Sequence, residues 1–224
     1  MGIVHIPRTA AAIARGYMKR RSSPLSDVEK SLVGIGPTNP PHVYASRAGP
    51  FDVDVMFHMN NASYLTHAEL ARWEWSAFGG MLEANLRSGS FFIVAASAVR
   101  FRREIAPLKK FEIETRVGSI DDRNCWIYQT FHNAGRTSVA DNNSDERGKV
   151  LAQVFTRAVI TKKGKVIQPR SWLEDCFPGD ATWDDLYTTS DGVESQFVEK
   201  SARFMDLEDA LRTSAALHDD KGTK

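Results

Sequence analysis

Between Asp52 and Asn61 the chain places two aspartates, a histidine and two adjacent asparagines within ten residues: Asp52, Asp54, His58, Asn60 and Asn61. These residue types suit work on a carbonyl. A carboxylate can act as general base or as nucleophile. A histidine changes charge near neutrality. An asparagine ahead of a helix can accept from the amides of its first turn. A helix does follow, because Tyr64, Ala68, Ala71, Trp75, Phe78 and Leu82 recur at spacings of four and three and so form one stripe. The first amides of a helix have no backbone partner and stabilise negative charge on an oxygen. A carboxylate just upstream of such a terminus puts a base and an electrophilic dipole within reach of one carbonyl.

Each residue also has a plainer reading. Asp52 could hold the turn, and Asp54 could hydrogen-bond the loop or cap the helix. His58 could be a buried ring bridging two backbone groups. Asn60 and Asn61 could serve as caps, a role that is compatible with polarising a carbonyl, since a cap fixes the amides beside it.

The remaining elements must carry this cluster. "GIGPTNPP" (34–41) is a turn-rich, extended entry, and a strand is expected from Val43 to about Pro50. Gly79-Gly80 weakens or bends the long helix and "RSGS" ends it. Beyond that the period changes to two. Residues 91–105 read as a long strand. In 111–120, Phe111, Ile113, Thr115 and Val117 face one way, and Glu112, Glu114 and Arg116 the other. A third strand, 125–133, follows the tight turn "DDRN". Residues 134–148 read as a polar hairpin loop and 149–166 as a final strand pair or one long strand with a tip. The expected organisation is a basic N-terminal arm and linker (1–40), an α+β domain (41–172), and an acidic, partly helical C-terminal extension (173–224).

Composition narrows the function classes. The 224 residues make one domain of ordinary size or at most two small ones, and 42% hydrophobic content predicts a packed globule. A net charge of +1 argues against a protein that coats nucleic acid. The charge is nevertheless uneven: up to Ser26 there are five basic residues and no acid, while acids outnumber bases from Glu174 to Asp220. Two distant cysteines, Cys125 and Cys176, with no CxxC, exclude a disulfide framework or structural zinc site and fit a reducing compartment. No apolar run is long enough to cross a bilayer, so a soluble protein is expected. It would be cytoplasmic, or mitochondrial if "RTAAAIARGYMKRRSS" acts as a transit peptide rather than as an exposed basic helix. His5, His42, His67, His132 and His218 have no ligand spacing, so no metal is expected. No G-x-S-x-G elbow, P-loop or G-x-G-x-x-G is present.

"DVDVMFHMNNASYL" resembles the D-x-D-x-x-x-H-x-N-N-x-x-Y signature of hot-dog-fold acyl-CoA thioesterases, in the 4-hydroxybenzoyl-CoA thioesterase-like group and its thioesterase superfamily member 6 branch. The likeness continues through "YLTHAELARW", "VRFRREIAPLKKFEIETRVGSIDDR" and "WIYQTFHN", covering roughly residues 43–172. The resemblance implies an antiparallel sheet wrapped around one long central helix, and a homodimer or homotetramer with its acyl pocket at the subunit interface. It implies an acyl-CoA substrate, with the coenzyme A moiety as part of that substrate and no other cofactor.

Asp54 is then the catalytic carboxylate, as base or nucleophile, with His58 orienting it or the substrate and the amides around Asn60 and Asn61 polarising the thioester oxygen. Tyr64 and Glu69 lie on the helix toward substrate, Glu69 being the residue available where a hot-dog thioesterase takes its acid from the helix. Arg100 and Arg102, with Arg103, Lys109 and Lys110, could meet the coenzyme A phosphates or form a solvated strand face. Phe91, Phe92, Trp73 and Trp75 could line an acyl tunnel, though core packing is the simpler expectation. The alternatives are a non-catalytic acyl or lipid binder on the same fold, a hot-dog hydratase or dehydratase that would need His58, and an interaction module working through its basic arm and acidic tail.

Overall fold

The computed structural model describes residues 2–35, 39–134, 148–177 and 204–206, with side chains from His5 onward. Helix α1 (Gly2–Ser22) and the short α2 (Asp27–Leu32) precede strand β1 (His42–Arg47). A single tight turn, Pro50–Asp52, leads to α3 (Asn61–Phe78) and α4 (Met81–Ser88). Five strands follow: β2 (Ser90–Phe101), β3 (Lys110–Ile120), β4 (Asn124–Asn133), β5 (Val150–Lys162) and β6 (Lys165–Ile167), then α5 (Pro169–Cys176).

All pairings are antiparallel, in the order β1-β3-β4-β5-β2, with β6 added to β5 beyond the end of β4. The sheet packs around α3, whose Tyr64, Ala68 and Ala71 share one buried cluster with Phe111, Ile113 and Phe131. This is the α+β hot-dog arrangement that the sequence implied.

Local chemistry explains the boundaries. In β3 the alternation holds, since Phe111, Ile113, Thr115 and Val117 are all buried. Glu112, expected toward solvent, is buried as well, paired across to Ala45 of β1 and His132 of β4. The carboxylate of Asp121 shapes the β3–β4 turn by accepting from the amides of Arg123 (2.8 Å) and Asn124 (2.7 Å). Residues 149–166 resolve into a hairpin turning at Lys163 and Gly164, both left-handed (φ 51° and 75°), as a two-residue turn matched to strand twist requires. The strand expected over 91–105 ends at Phe101, because the amides of Arg102 and Arg103 both turn to the Leu151 carbonyl (2.9 and 3.0 Å).

The largest departure concerns the N-terminus. The segment expected as an arm carries α1, and α1 lies along α3. Ala12 of α1 is fully buried in the main core. The helices approach most closely at Gly16, where a Cβ would fall 2.8 Å from that of Ala77 and closer still to the Glu74 carbonyl oxygen. Most basic residues of α1 face protein, Arg21 being exposed. Arg8 pairs with Asp52 at 3.0 Å, while Lys19 (2.5 Å) and Arg15 (3.1 Å) both reach the buried Glu74. Lys19 and Arg15 also donate to the carbonyls of Val43 and Ala45, so α1 covers the outer edge of β1. The other sheet edge, β2, is open and exposes Phe91, Ile93 and Val94. Charge and helical composition were legible in the arm; the acids that would receive it lie 44 or more residues away in sequence.

Of the C-terminal extension, Phe204 rests against Trp126 and Phe155, at ring-centroid distances of 5.9 and 5.7 Å. The polar loop read over 134–148 falls mainly outside the described residues, as does most of the extension. Among the described residues no helix is long and apolar enough to cross a membrane.

Candidate active site

The loop from Asp52 to Asn60 is built by its own polar groups. Asp52 is buried and holds the turn before it: Oδ2 accepts from the Gly49 amide at 2.9 Å, and its carbonyl accepts from the Asn60 amide at 2.8 Å. Arg8 Nη1 donates to Oδ1 at 3.0 Å, and His67 Nε2 lies 3.0 Å from Oδ2. Burial alone would raise the Asp52 pKa, but the bonds from His67, Gly49 and Arg8 outweigh it and hold the carboxyl down from 3.8 to about 2. A depressed carboxylate stabilises the fold above its ordinary pKa, and that contribution fades as pH falls through the folded value. The window is therefore pH 4 down to about 2, and the contribution is about 2 kcal/mol. Acid titration followed by circular dichroism should show wild type losing stability across that window, and Asp52→Asn should show a flatter curve there.

Beyond Asp52 the chain makes a narrow reversal. Val53 bridges to Met59, the Asp54 amide donates to the His58 carbonyl (3.1 Å), and the Phe57 amide donates to the Asp54 carbonyl (3.1 Å). Closing this turn puts Phe57 at φ 58°, a left-handed conformation unfavourable for a bulky L-residue. Val55, Met56 and Phe57 form an exposed apolar tip. Asp54 sits at its base, partly exposed: Oδ1 accepts from the Met56 amide at 2.9 Å, and Oδ2 lies 3.6 Å from His58 Nδ1. Asp54 and His58 thus come together as neighbours.

Asn60 is the cap of α3. Its Oδ1 accepts from the amides of Ala62 (2.8 Å) and Ser63 (3.3 Å). Two of the amides offered by the helix terminus are therefore spoken for, and the amide of Asn60 itself bonds Asp52. Among the described residues, the first-turn N–H left without a partner is that of Asn61, a distinction that a sequence with two adjacent asparagines cannot make.

A cavity of about 710 Å³ opens between α3, α4 and the edge strand β2. Leu65, Glu69, Arg72 and Trp75 line it from α3, Phe91 to Val94 from β2, and Trp172 closes it from α5. Trp73, Trp75, Phe91 and Phe92 all stand on its wall, and the expected core packing holds for three of them, Trp75 being buried and Trp73 and Phe92 packed against buried clusters. Glu69 Oε1 accepts from Trp73 Nε1 at 3.3 Å and lies 3.2 Å from His5 Nε2 of α1. Arg72 Nη1 donates to the buried Gln129 Oε1 at 2.8 Å, and burial lowers its pKa to about 10, which leaves it protonated at neutral pH.

The other expected site residues fall elsewhere. Asp54, His58, Asn60 and Asn61 flank the mouth of α3 without lining the cavity of the single chain. Tyr64 is buried in the core against Phe101 and Phe131, its hydroxyl 3.4 Å from the Arg103 carbonyl. Arg100 and Arg102 are exposed at the far end of β2, away from the cavity lining. Sequence reading missed Asn85 and Trp172, whose side chains bond each other (2.6 Å) across 87 residues of chain.

The model of the Thioesterase-like superfamily matches residues 48–176, more than half of the chain. Protein THEM6 of Xenopus laevis is 36% identical over 90 residues, covering 40% of this chain and 44% of that protein. A "Probable thioesterase" of Saccharomyces cerevisiae is 27% identical over 131 residues, covering 58% of this chain and 52% of that protein. The chain thus spans about half, or less, of the length of these relatives. Among solved structures, the YbaW "Probable Thioesterase" from Escherichia coli superposes with a TM-score of 0.52 at 18% identity, over 60% of this chain and 98% of that one, which is a likeness of fold.

Proposed function

Since the chain belongs to the Thioesterase-like superfamily, we propose that it hydrolyses an acyl-CoA or related acyl thioester. The observation that carries this reading is the cavity: an apolar space of about 710 Å³ running along α3 from Leu65, in the turns that follow the unpartnered Asn61 amide. In this reading the acyl group lies along that wall and the thioester carbonyl sits at the mouth of α3. There the Asn61 N–H donates to the oxygen that develops negative charge, and Asp54, with His58 beside it, activates water or attacks directly. Glu69, inside the cavity, is the second carboxylate to be tested.

The chain works as a homodimer paired through β2. The β1 edge is covered by α1, while β2 leaves backbone groups and three large apolar side chains open beside the cavity. A second copy on β2 would close the cavity and add its own residues to it.

A non-catalytic acyl binder is the alternative, and it draws on one observation: Asp54 stands outside the cavity wall of the single chain. Purified protein offered short, long and aromatic acyl-CoAs should release free thiol from at least one class, and light scattering should return twice its 25.0 kDa mass. Silence across the panel, with acyl-CoA still bound, would favour the binder; a monomer would remove the assembly.

A further inference from the structure

The cavity holds a cation that thioester cleavage does not use. Arg72 is the one cationic side chain among the described residues lining it. Its single hydrogen bond goes to Gln129, and the geometry fixes which end of that amide it meets. Gln129 Nε2 donates to the Ala68 carbonyl and to Thr115 Oγ1, both at 3.0 Å, so Oε1 must face the guanidinium. Glu69 attracts Arg72 only across a distance, its Oε1 meeting Trp73 and His5. Arg72 stands in the cavity wall with Leu65, Trp75, Phe91 and Ile93.

Withdrawing a guanidinium from water costs several kcal/mol unless an anion meets it, and one neutral amide offsets little of that. A neutral side chain could serve equally well as a strut to Gln129, which is already held by two other bonds. The arrangement is that of a receptor for a planar, two-oxygen anion, which an arginine fork binds bidentately. With no second cation on the wall, a single carboxylate matches the site better than a dianionic phosphate.

We propose that the cavity receives an acyl group bearing a carboxylate at its distal end, bound by Arg72, so that the preferred substrate class is the ω-carboxyacyl thioester. The proposal rests on the thioesterase reading for where the thioester sits. At 1.5 Å per residue, Arg72 lies about 16 Å along the α3 axis from Asn61, so a medium-to-long chain spans the two.

The test compares dodecanoyl- and tetradecanoyl-CoA with their ω-carboxy counterparts on wild type, Arg72→Met and Arg72→Lys, each checked by thermal melting. Wild type should favour the ω-carboxy substrates by about 10- to 100-fold in kcat/KM, the range expected of a charge-assisted hydrogen bond. Arg72→Met should lose that preference, its ratio between the two series falling to about one, while Arg72→Lys, with charge but no fork, should keep part of it. Equal treatment of the two series by wild type, or an equal fall on both in Arg72→Met, would overturn the proposal. If wild type cleaves neither series, the thioesterase reading fails and calorimetry with tetradecanedioic and tetradecanoic acids decides the binding claim. Tighter binding of the diacid, lost in Arg72→Met, upholds it; equal binding overturns it.

Discussion

Asp54→Asn should lower thioester turnover by at least about 10²-fold while leaving the fold intact, the loss expected when a positioned general base or nucleophile is removed. The substitution suits the site because the asparagine carbonyl can still accept from the Met56 amide, which Asp54 Oδ1 does now at 2.9 Å, so the 54–58 turn persists. What disappears is the negative charge beside His58. The effect should fall on kcat, with KM nearly unchanged, because Asp54 does not line the cavity that binds the acyl group. Glu69→Gln belongs in the same experiment. Glu69 is a cavity carboxylate, and a hot-dog thioesterase that drew its acid from the helix would lose turnover there and keep it in Asp54→Asn. A non-catalytic binder would be indifferent to both. The three mechanisms therefore give three different patterns, and full turnover in a well-folded Asp54→Asn protein would remove the one preferred here.

What could be read from the sequence, and what could not, follows from the range of the interactions involved. The apolar stripe on α3, a cap at Asn60 or Asn61, the break at Gly79-Gly80 and the strands from β2 onward were legible because each depends on residues within a few positions of one another. The Asp54–His58 contact was legible for the same reason. The partners of α1 were not. Pairing Arg8 with Asp52, or Lys19 with Glu74, joins residues 44 and 55 positions apart, and a basic amphipathic helix looks the same whether its charges meet solvent, a surface or buried acids. Gln129 likewise carries no sign in its own strand that it will meet Arg72 of α3. The cavity was half legible: its aromatic residues were visible, but whether aromatics at core spacing meet each other or surround a space is decided by the way α4, β2 and Trp172 come together.

The other large effect concerns stability. Glu74→Gln should destabilise the protein by roughly 2 kcal/mol, because it removes the buried anion that receives the half-buried Lys19 and Arg15. Glu74 is fully buried on α3, with Lys19 Nζ at 2.5 Å, His42 Nε2 at 3.3 Å and Arg15 Nε at 3.1 Å, the last close enough for an ion pair but not aligned as a hydrogen bond. Burial would raise its pKa, yet the bond from His42 and the charge and bond of Lys19 hold it below the usual carboxylate range. Burial in turn keeps His42 below the usual imidazole range, so the ring meets Glu74 uncharged and the ionic balance rests on α1. At 2–4 °C per kcal/mol for a chain of this size, the melting temperature should fall by about 6 °C. Because the lost partners belong to α1, hydrogen exchange should rise across residues 2–22 before it rises in β3 and β4. The same loosening would reach the site, since α1 also holds Asp52 through Arg8 and Glu69 through His5. Lys19→Met alone should also destabilise, and combining it with Glu74→Gln should cost less than the two single changes added, because each single change leaves a charge behind. Additive losses, with no early exchange in α1, would mean that the helix is held by the close approach at Gly16 and Ala12 and that its charges contribute little.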